Sequence, residues 1–187
     1  MQRTQVVANW YRESDEFSTL VNYRILRAGH IRAADNFHVR RQSVAGHELI
    51  FCLNGSGFIR LENNLHEVKK GNLAWLPVRW PHEHFPNKQE PWEILWLRID
   101  GAKLNNIMQI LDVAQQPVFE FTSPETITDI YHRLFDLMQS HTLVADAHCR
   151  CAVFPTDIHP AGESQFRCHE IAGHFPSWAG SADLSDS

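Results

Sequence analysis

The chain has no apolar run near the ~20 residues that span a bilayer, and the first sixteen residues, MQRTQVVANWYRESDE, contain no signal-peptide core. A membrane partner is therefore not expected, and the predicted location is cytoplasmic. Cysteine is scarce: of four in 187 residues, Cys52 lies in a strand-like segment and Cys149, Cys151 and Cys168 crowd the tail. That spacing is no disulfide framework. An excess of positive charge is also missing. The net charge is −5, and Arg24, Arg27, Arg32, Arg40 and Arg41 are dispersed, which reads as a solvated face rather than a nucleic-acid footprint. With 43% hydrophobic and 21% charged residues the chain is long enough to bury one real core.

What is present is concentrated in residues 46–101, where strand-like segments, turns and a Pro81-His82-Glu83-His84 corner follow one another. In 47–53, His47, Leu49, Phe51 and Leu53 share one face and Glu48, Ile50 and Cys52 the other, and neither face is strongly polar. The Asn54-Gly55-Ser56-Gly57 turn, whose glycines tolerate positive φ, leads into a second strand over 58–61. Asn63-Asn64 marks another turn, Gly71-Asn72 introduces the apolar 73–76, and Pro77, Pro81 and Pro86 punctuate the corner. In 92–99, Trp92, Ile94, Trp96 and Arg98 alternate with Glu93, Leu95, Leu97 and Ile99; which set points inward is open. Short strands with Gly and Pro turns predict a sandwich or barrel, and a small barrel can hold one small ligand.

Beyond Gly101 the period lengthens to about 3.6 residues. Leu104, Ile107, Met108 and Leu111 predict a helix ending near Gln115-Gln116-Pro117, and 118–121 an extended link. Thr122-Ser123-Pro124-Glu125 predicts the start of a second helix, carried to about Leu143 by Ile127, Ile130, Tyr131, Leu134, Leu137 and Met138. After Ala145 neither period persists.

Three segments carry a family resemblance: HELIFCLNGSGFIRL, GNLAWLPVRWPHEHF and EPWEILWLRIDG. Over residues 23–143 they resemble the N-terminal sensor domain of AraC-family transcription regulators. The resemblance implies a mainly β fold, a cupin-like double-stranded β-helix (jelly-roll) barrel followed by two α-helices. The corresponding organisation is an N-terminal arm (1–20), a ligand-binding barrel (21–101), a helical dimerisation region (102–144) and an irregular tail (145–187). It further implies a small-molecule effector, sugar-like in type, and a homodimer through the C-terminal helices. Asn72 stands where the family has an acidic residue, and Arg79 where a turn glycine is common. The family normally adds a pair of helix-turn-helix motifs. Nothing after Leu143 supplies two amphipathic helices with a tight turn, so no direct nucleic-acid binding is expected of this chain.

Matched residue by residue, the resemblance implies ligand contacts at Arg40, His84, Ile94 and Trp96. A guanidinium and an imidazole can bond ring hydroxyls, an indole offers a stacking face, and Ile94 is an apolar wall that argues against arabinose itself. Each has a plainer account: Arg40 paired with Glu48 or Glu93, His84 finishing a turn, Trp96 in the core. Trp10 and Tyr11 of the arm either close over the pocket or end a packed strand.

A metal-dependent cupin enzyme is the alternative, with His47, His82 and His84 as candidate ligands. Its weakness is that His47 and Glu48, being adjacent on a strand, face opposite sides. No metal, cofactor or catalytic residue is therefore expected. A tail zinc site at His148, Cys149, Cys151, His159, Cys168, His169 and His174 lacks paired Cys spacing. An out-of-frame tail accounts better for the lost periodicity, since shifting degenerate codons for 155–163 by one base allows apolar residues there.

Overall fold

The computed structural model describes residues 3–11, 23–139 and the strand pair 159–160. The proposed tail zinc ligands, the out-of-frame segment and the end of the second helix near Leu143 lie outside the described side chains.

Two antiparallel sheets form the barrel. The larger has the order β1–β2–β9–β4–β7–β10–β11, comprising β1 (Gln5–Tyr11), β2 (Arg24–Arg32), β9 (Glu93–Asp100), β4 (His47–Asn54), β7 (Leu73–Leu76), β10 (Val118–Glu120) and β11 (His159–Pro160). The smaller has the order β3–β8–β5–β6, comprising β3 (Val39–Arg41), β8 (His82–Pro86), β5 (Ser56–Leu61) and β6 (Asn64–Lys69). Helices α1 (Leu104–Ile110) and α2 (Pro124–Gln139) follow the barrel strands, as the resemblance implied.

The larger sheet is covered on both sides, which is why its central strands show no polar face. On one side Ile50, Cys52, Ala74, Leu76 and Ile94 meet Ile59, Leu61 and Val68 of the smaller sheet, forming the barrel interior. On the other, Leu49, Phe51, Leu73, Trp75, Leu95, Leu97 and Ile99 pack under Leu104 of α1 and Ile127, Tyr131, Leu134, Phe135 and Met138 of α2. The helical stripe is thus buried against its own barrel. The Tyr131 hydroxyl donates to the Leu49 carbonyl at 3.1 Å, fastening α2 to β4.

Several expected elements differ in extent. The turn expected at Asn63-Asn64 falls at 62–63 and leads into β6, a strand in a stretch the sequence reading left unassigned, and β8 is a strand where a corner was expected: β5 pairs with both, from Ser56↔Lys69 and Gly57↔Pro86 onward. Proline is tolerated at both ends of β8 because a strand end gives up no more than a terminal ladder bond. α1 stops at Ile110, five residues short of Gln115, as Asp112 turns to φ 49°. The arm is a strand: β1 runs along β2, Trp10 stacks on Phe135 of α2 at 4.3 Å, and Tyr11 lies under the Arg27 guanidinium. Trp10 is therefore outside the barrel interior.

Of the turn glycines, Gly55 holds φ 68°. Gly57 is needed for another reason: a Cβ there would occupy the ring of Trp92, which is 1% exposed. Asn72 keeps the turn closed without a carboxylate, its side-chain oxygen accepting the Lys69 amide at 3.0 Å.

Candidate functional site

Strand alternation aims Glu48 of β4, Trp96 and Arg98 of β9, and His82 and His84 of β8 at the barrel interior, beside the apolar wall of Ile50, Ile59 and Ile94. Glu48 and Arg98 lie directly opposite in register, and the Arg98 guanidinium donates to Glu48 Oε2 at 2.7 Å. Arg41, which pairs with His82 in register, reaches the same oxygen at 3.8 Å. Burial alone would push the Glu48 carboxyl up; His84, in the acid range where its ring takes a proton, and the permanently charged Arg98 and Arg41 outweigh it and hold it below the usual carboxylate range.

The interior is rich in polar atoms without partners. Among the described residues, Arg98 Nε, Trp96 Nε1, Trp92 Nε1, His84 Nδ1 and His82 Nε2 are buried and make no hydrogen bond. His82 Nδ1 lies 2.8 Å from the Trp80 carbonyl, which only accepts, so this nitrogen carries the proton and Nε2 is left facing inward. Gly29, opposite Trp96 in register, makes room for the indole, since a side chain there would collide with it. Phe37 and Trp92 flank the His84 ring at 6.0 and 6.2 Å.

The four sequence-derived contacts separate. His84, Ile94 and Trp96 come together on inward-facing positions, with Ile94 1% and His84 3% exposed. Arg40 is on the opposite face of β3, its side chain 72% exposed and 3.1 Å from Glu83, neither of the carboxylates weighed as its partner. His38 and Arg60 share that outer carboxylate. The next residue, Arg41, takes the inward place, because a shift of one residue along a strand reverses the face. Arg41 and Arg98, which the sequence reading did not single out, also face the interior. The alternation of Arg98 with Ile94 and Trp96 was the signal that could have found it.

The candidate metal ligands also divide. His82 and His84 point inward, whereas His47 lies under the helices, where the Trp75 indole donates to its Nδ1 at 3.0 Å. Among the described residues no group of three or more His, Cys, Asp or Glu is placed to hold a metal ion. The remaining inward sulfur, Cys52, has its thiol pushed up to about 12 by burial, so it acts as packing.

Burial pushes both His47 and His84 down to about 4. The rings are neutral in the folded protein, while an unfolded histidine takes a proton near 6.5. Between those values the unfolded chain binds more protons, so stability is complete above about 6.5 and declines as pH falls. The urea midpoint is expected to drop between about pH 7 and pH 5, as the unfolding free energy falls by up to about 2 kcal/mol per ring. An unchanged midpoint would mean that the protonated rings find partners.

The family model described as the AraC-like ligand binding domain matches residues 26–154. The MmsAB operon regulatory protein of Pseudomonas aeruginosa is 24% identical in an alignment of 131 positions that covers 65% of this chain and 43% of that protein. The chain thus spans less than half the length of this curated relative. Among solved structures, a cupin superfamily protein from Desulfitobacterium hafniense aligns with TM-score 0.40 at 15% identity, over 54% of this chain and 82% of that one. YhaK from Escherichia coli aligns with TM-score 0.44 at 16% identity, over 52% and 45%. No helix among the described residues is long and apolar enough to cross a membrane. Since the family model takes in strands β2 to β10 and both helices, more than half of the sequence, the chain belongs to the AraC-like ligand-binding domain family.

Proposed function

We propose that this chain is the sensing part of a transcription regulator and captures a small, hydroxyl-bearing metabolite inside its barrel. The observation that supports this reading is the set of inward-facing polar atoms without partners on Arg98, Trp96, Trp92, His84 and His82. Each such atom costs about 1–3 kcal/mol if left unpaired, and native interiors tolerate few of them. A ligand whose hydroxyl and carbonyl oxygens bond them would relieve that cost. Trp96 and His84 supply polar contacts and Ile94 an apolar wall, while Arg41 takes the role first assigned to Arg40. Binding, not turnover, is the activity. The effector acts by preferring one of two states of the domain.

The same reading has two copies pair through the helical region. Since Leu134 and Met138 face the barrel, the pairing surface is the outward side, where Ile110 of α1 is 80% exposed and Ile130 of α2 half-buried.

A thermal-shift screen of sugars and related small metabolites tests the binding reading. An effector at a hundred times its Kd should stabilise the domain by about 2.7 kcal/mol, a rise in Tm of roughly 5–10 °C for a chain of this size. Trp96→Phe keeps the ring and removes one donor, and should weaken binding about tenfold, as loss of one hydrogen bond implies. A ligand that stabilises wild type, Trp96→Phe and Ile94→Ala equally would place binding elsewhere and reject the assignment.

A further inference from the structure

We infer that the effector carries a carboxylate, seated against the inward guanidiniums of Arg98 and Arg41. This rests on the barrel being the ligand site and narrows the class of ligand it takes.

The argument is one of charge. Two guanidiniums, Arg98 and Arg41, converge on the single oxygen Oε2 of Glu48, at 2.7 and 3.8 Å. Among the described residues Glu48 is the carboxylate that faces the interior; Glu83 lies outside with Arg40, and Glu93 binds Arg32 and His30. His84 is neutral there, so it adds no charge near pH 7. Two cations against one anion leave an uncompensated positive charge. Arg27, the exposed register partner of Arg98 and close enough to perturb Arg41, carries the same sign.

Geometry shows where the missing anion goes. Arg98 is 7% exposed and holds Glu48 through one terminal nitrogen, leaving its Nε–H buried and unbonded. Trp96 Nε1–H is equally unbonded, two residues away on the same strand face and so about 7 Å along it. Both groups donate and neither can accept. A neutral polyol could satisfy them as hydrogen bonds but would leave the surplus charge desolvated and unmatched. A carboxylate matches both, with charge-assisted bonds roughly twice as strong as neutral ones. Ile94 and Ile50 beside them favour an organic anion over an inorganic one.

The test uses fragments, so it needs no knowledge of the natural effector. Acetate, its neutral isostere acetamide, ethylene glycol and chloride are each titrated into the 15N-labelled chain. The Arg98 Nε–H and Trp96 Nε1–H resonances, assigned with Arg98→Lys and Trp96→Phe, are followed. Acetate alone should shift both signals at millimolar concentration. Its affinity should fall about fivefold in Arg41→Gln, a half-exposed site whose loss leaves the fold intact, as weakening one partly screened charge implies. In Glu48→Gln, which removes the internal competitor, it should rise. Acetamide or ethylene glycol moving these signals as far as acetate would overturn the carboxylate and leave the barrel as the ligand site. Chloride matching acetate would reduce the feature to unspecific anion attraction and overturn it as well. Shifts absent with every probe would remove both the carboxylate and the barrel reading.

Discussion

Arg98→Met should lower the unfolding free energy by about 3–5 kcal/mol, the usual loss when one partner of a buried ion pair is removed. The reason is the residue left behind. Glu48 is 4% exposed and its nearest other cation, Arg41, is 3.8 Å away and partly in solvent, so its carboxylate becomes nearly uncompensated. The double variant Glu48→Met/Arg98→Met removes both charges with similar volume and should recover most of the loss, because a buried pair roughly balances its own desolvation. Urea denaturation of wild type, both single variants and the double variant gives the coupling. A single-variant loss under about 1 kcal/mol would show that water reaches Glu48 freely. The pair would then be retained for what it presents to a ligand rather than for stability, and its position at the centre of β4 and β9 fits either role without moving the backbone.

Leu134→Asp should prevent folding altogether at 25 °C. Leu134 is fully buried between α2 and the larger sheet. Losing its packing costs about 2–5 kcal/mol as an alanine would, and an unpaired carboxylate in that apolar layer costs several more. Together these reach the whole stability of an ordinary domain, about 5–15 kcal/mol. Circular dichroism and proteolysis should report an unfolded chain; a folded, monomeric Leu134→Asp would mean that α2 leaves the barrel and meets a second copy instead. The helix stripe is therefore unsuited to probing dimerisation. Ile110→Glu, on the exposed side of α1, is the informative change, and sedimentation should show it as a monomer if the outward helical surface pairs. A dimer persisting in both Ile110→Glu and Ile130→Glu would exclude that surface.

The strands best read from sequence were β4, β5, β7 and β9, where alternation or a short apolar run ended at a glycine or proline. β6 was hidden because its outward residues are polar and Val68 is its one fully buried side chain. β8 was hidden by the prolines at its ends, which look like a corner until β5 supplies ladder partners on one side and β3 on the other. β2 carries a bulge between Ile25 and Arg27, and that irregularity breaks the period of two.

The candidate site was legible in part as a matter of facing. His84, Ile94 and Trp96, which the family resemblance picked out by motif, point inward. Arg40 points outward and its neighbour Arg41 inward, since β3 is three residues long and short strands give no pattern from which to fix a face. His47 and Glu48 were correctly separated by alternation alone. Which of the two faced the barrel was beyond that rule.

Periodicity, turn residues and motif order, all local properties, sufficed for a mainly β chain with two trailing amphipathic helices and a ligand-binding family. Only the tertiary structure decided which side of the larger sheet became the barrel, because both sides are apolar and either could have faced the helices. It also brought Arg98 to Glu48, 50 residues earlier in the chain, beside Arg41, and convergence of that kind has no local signature. The partnerless donors around them exist as such only once the barrel closes and excludes the water that would otherwise bond them.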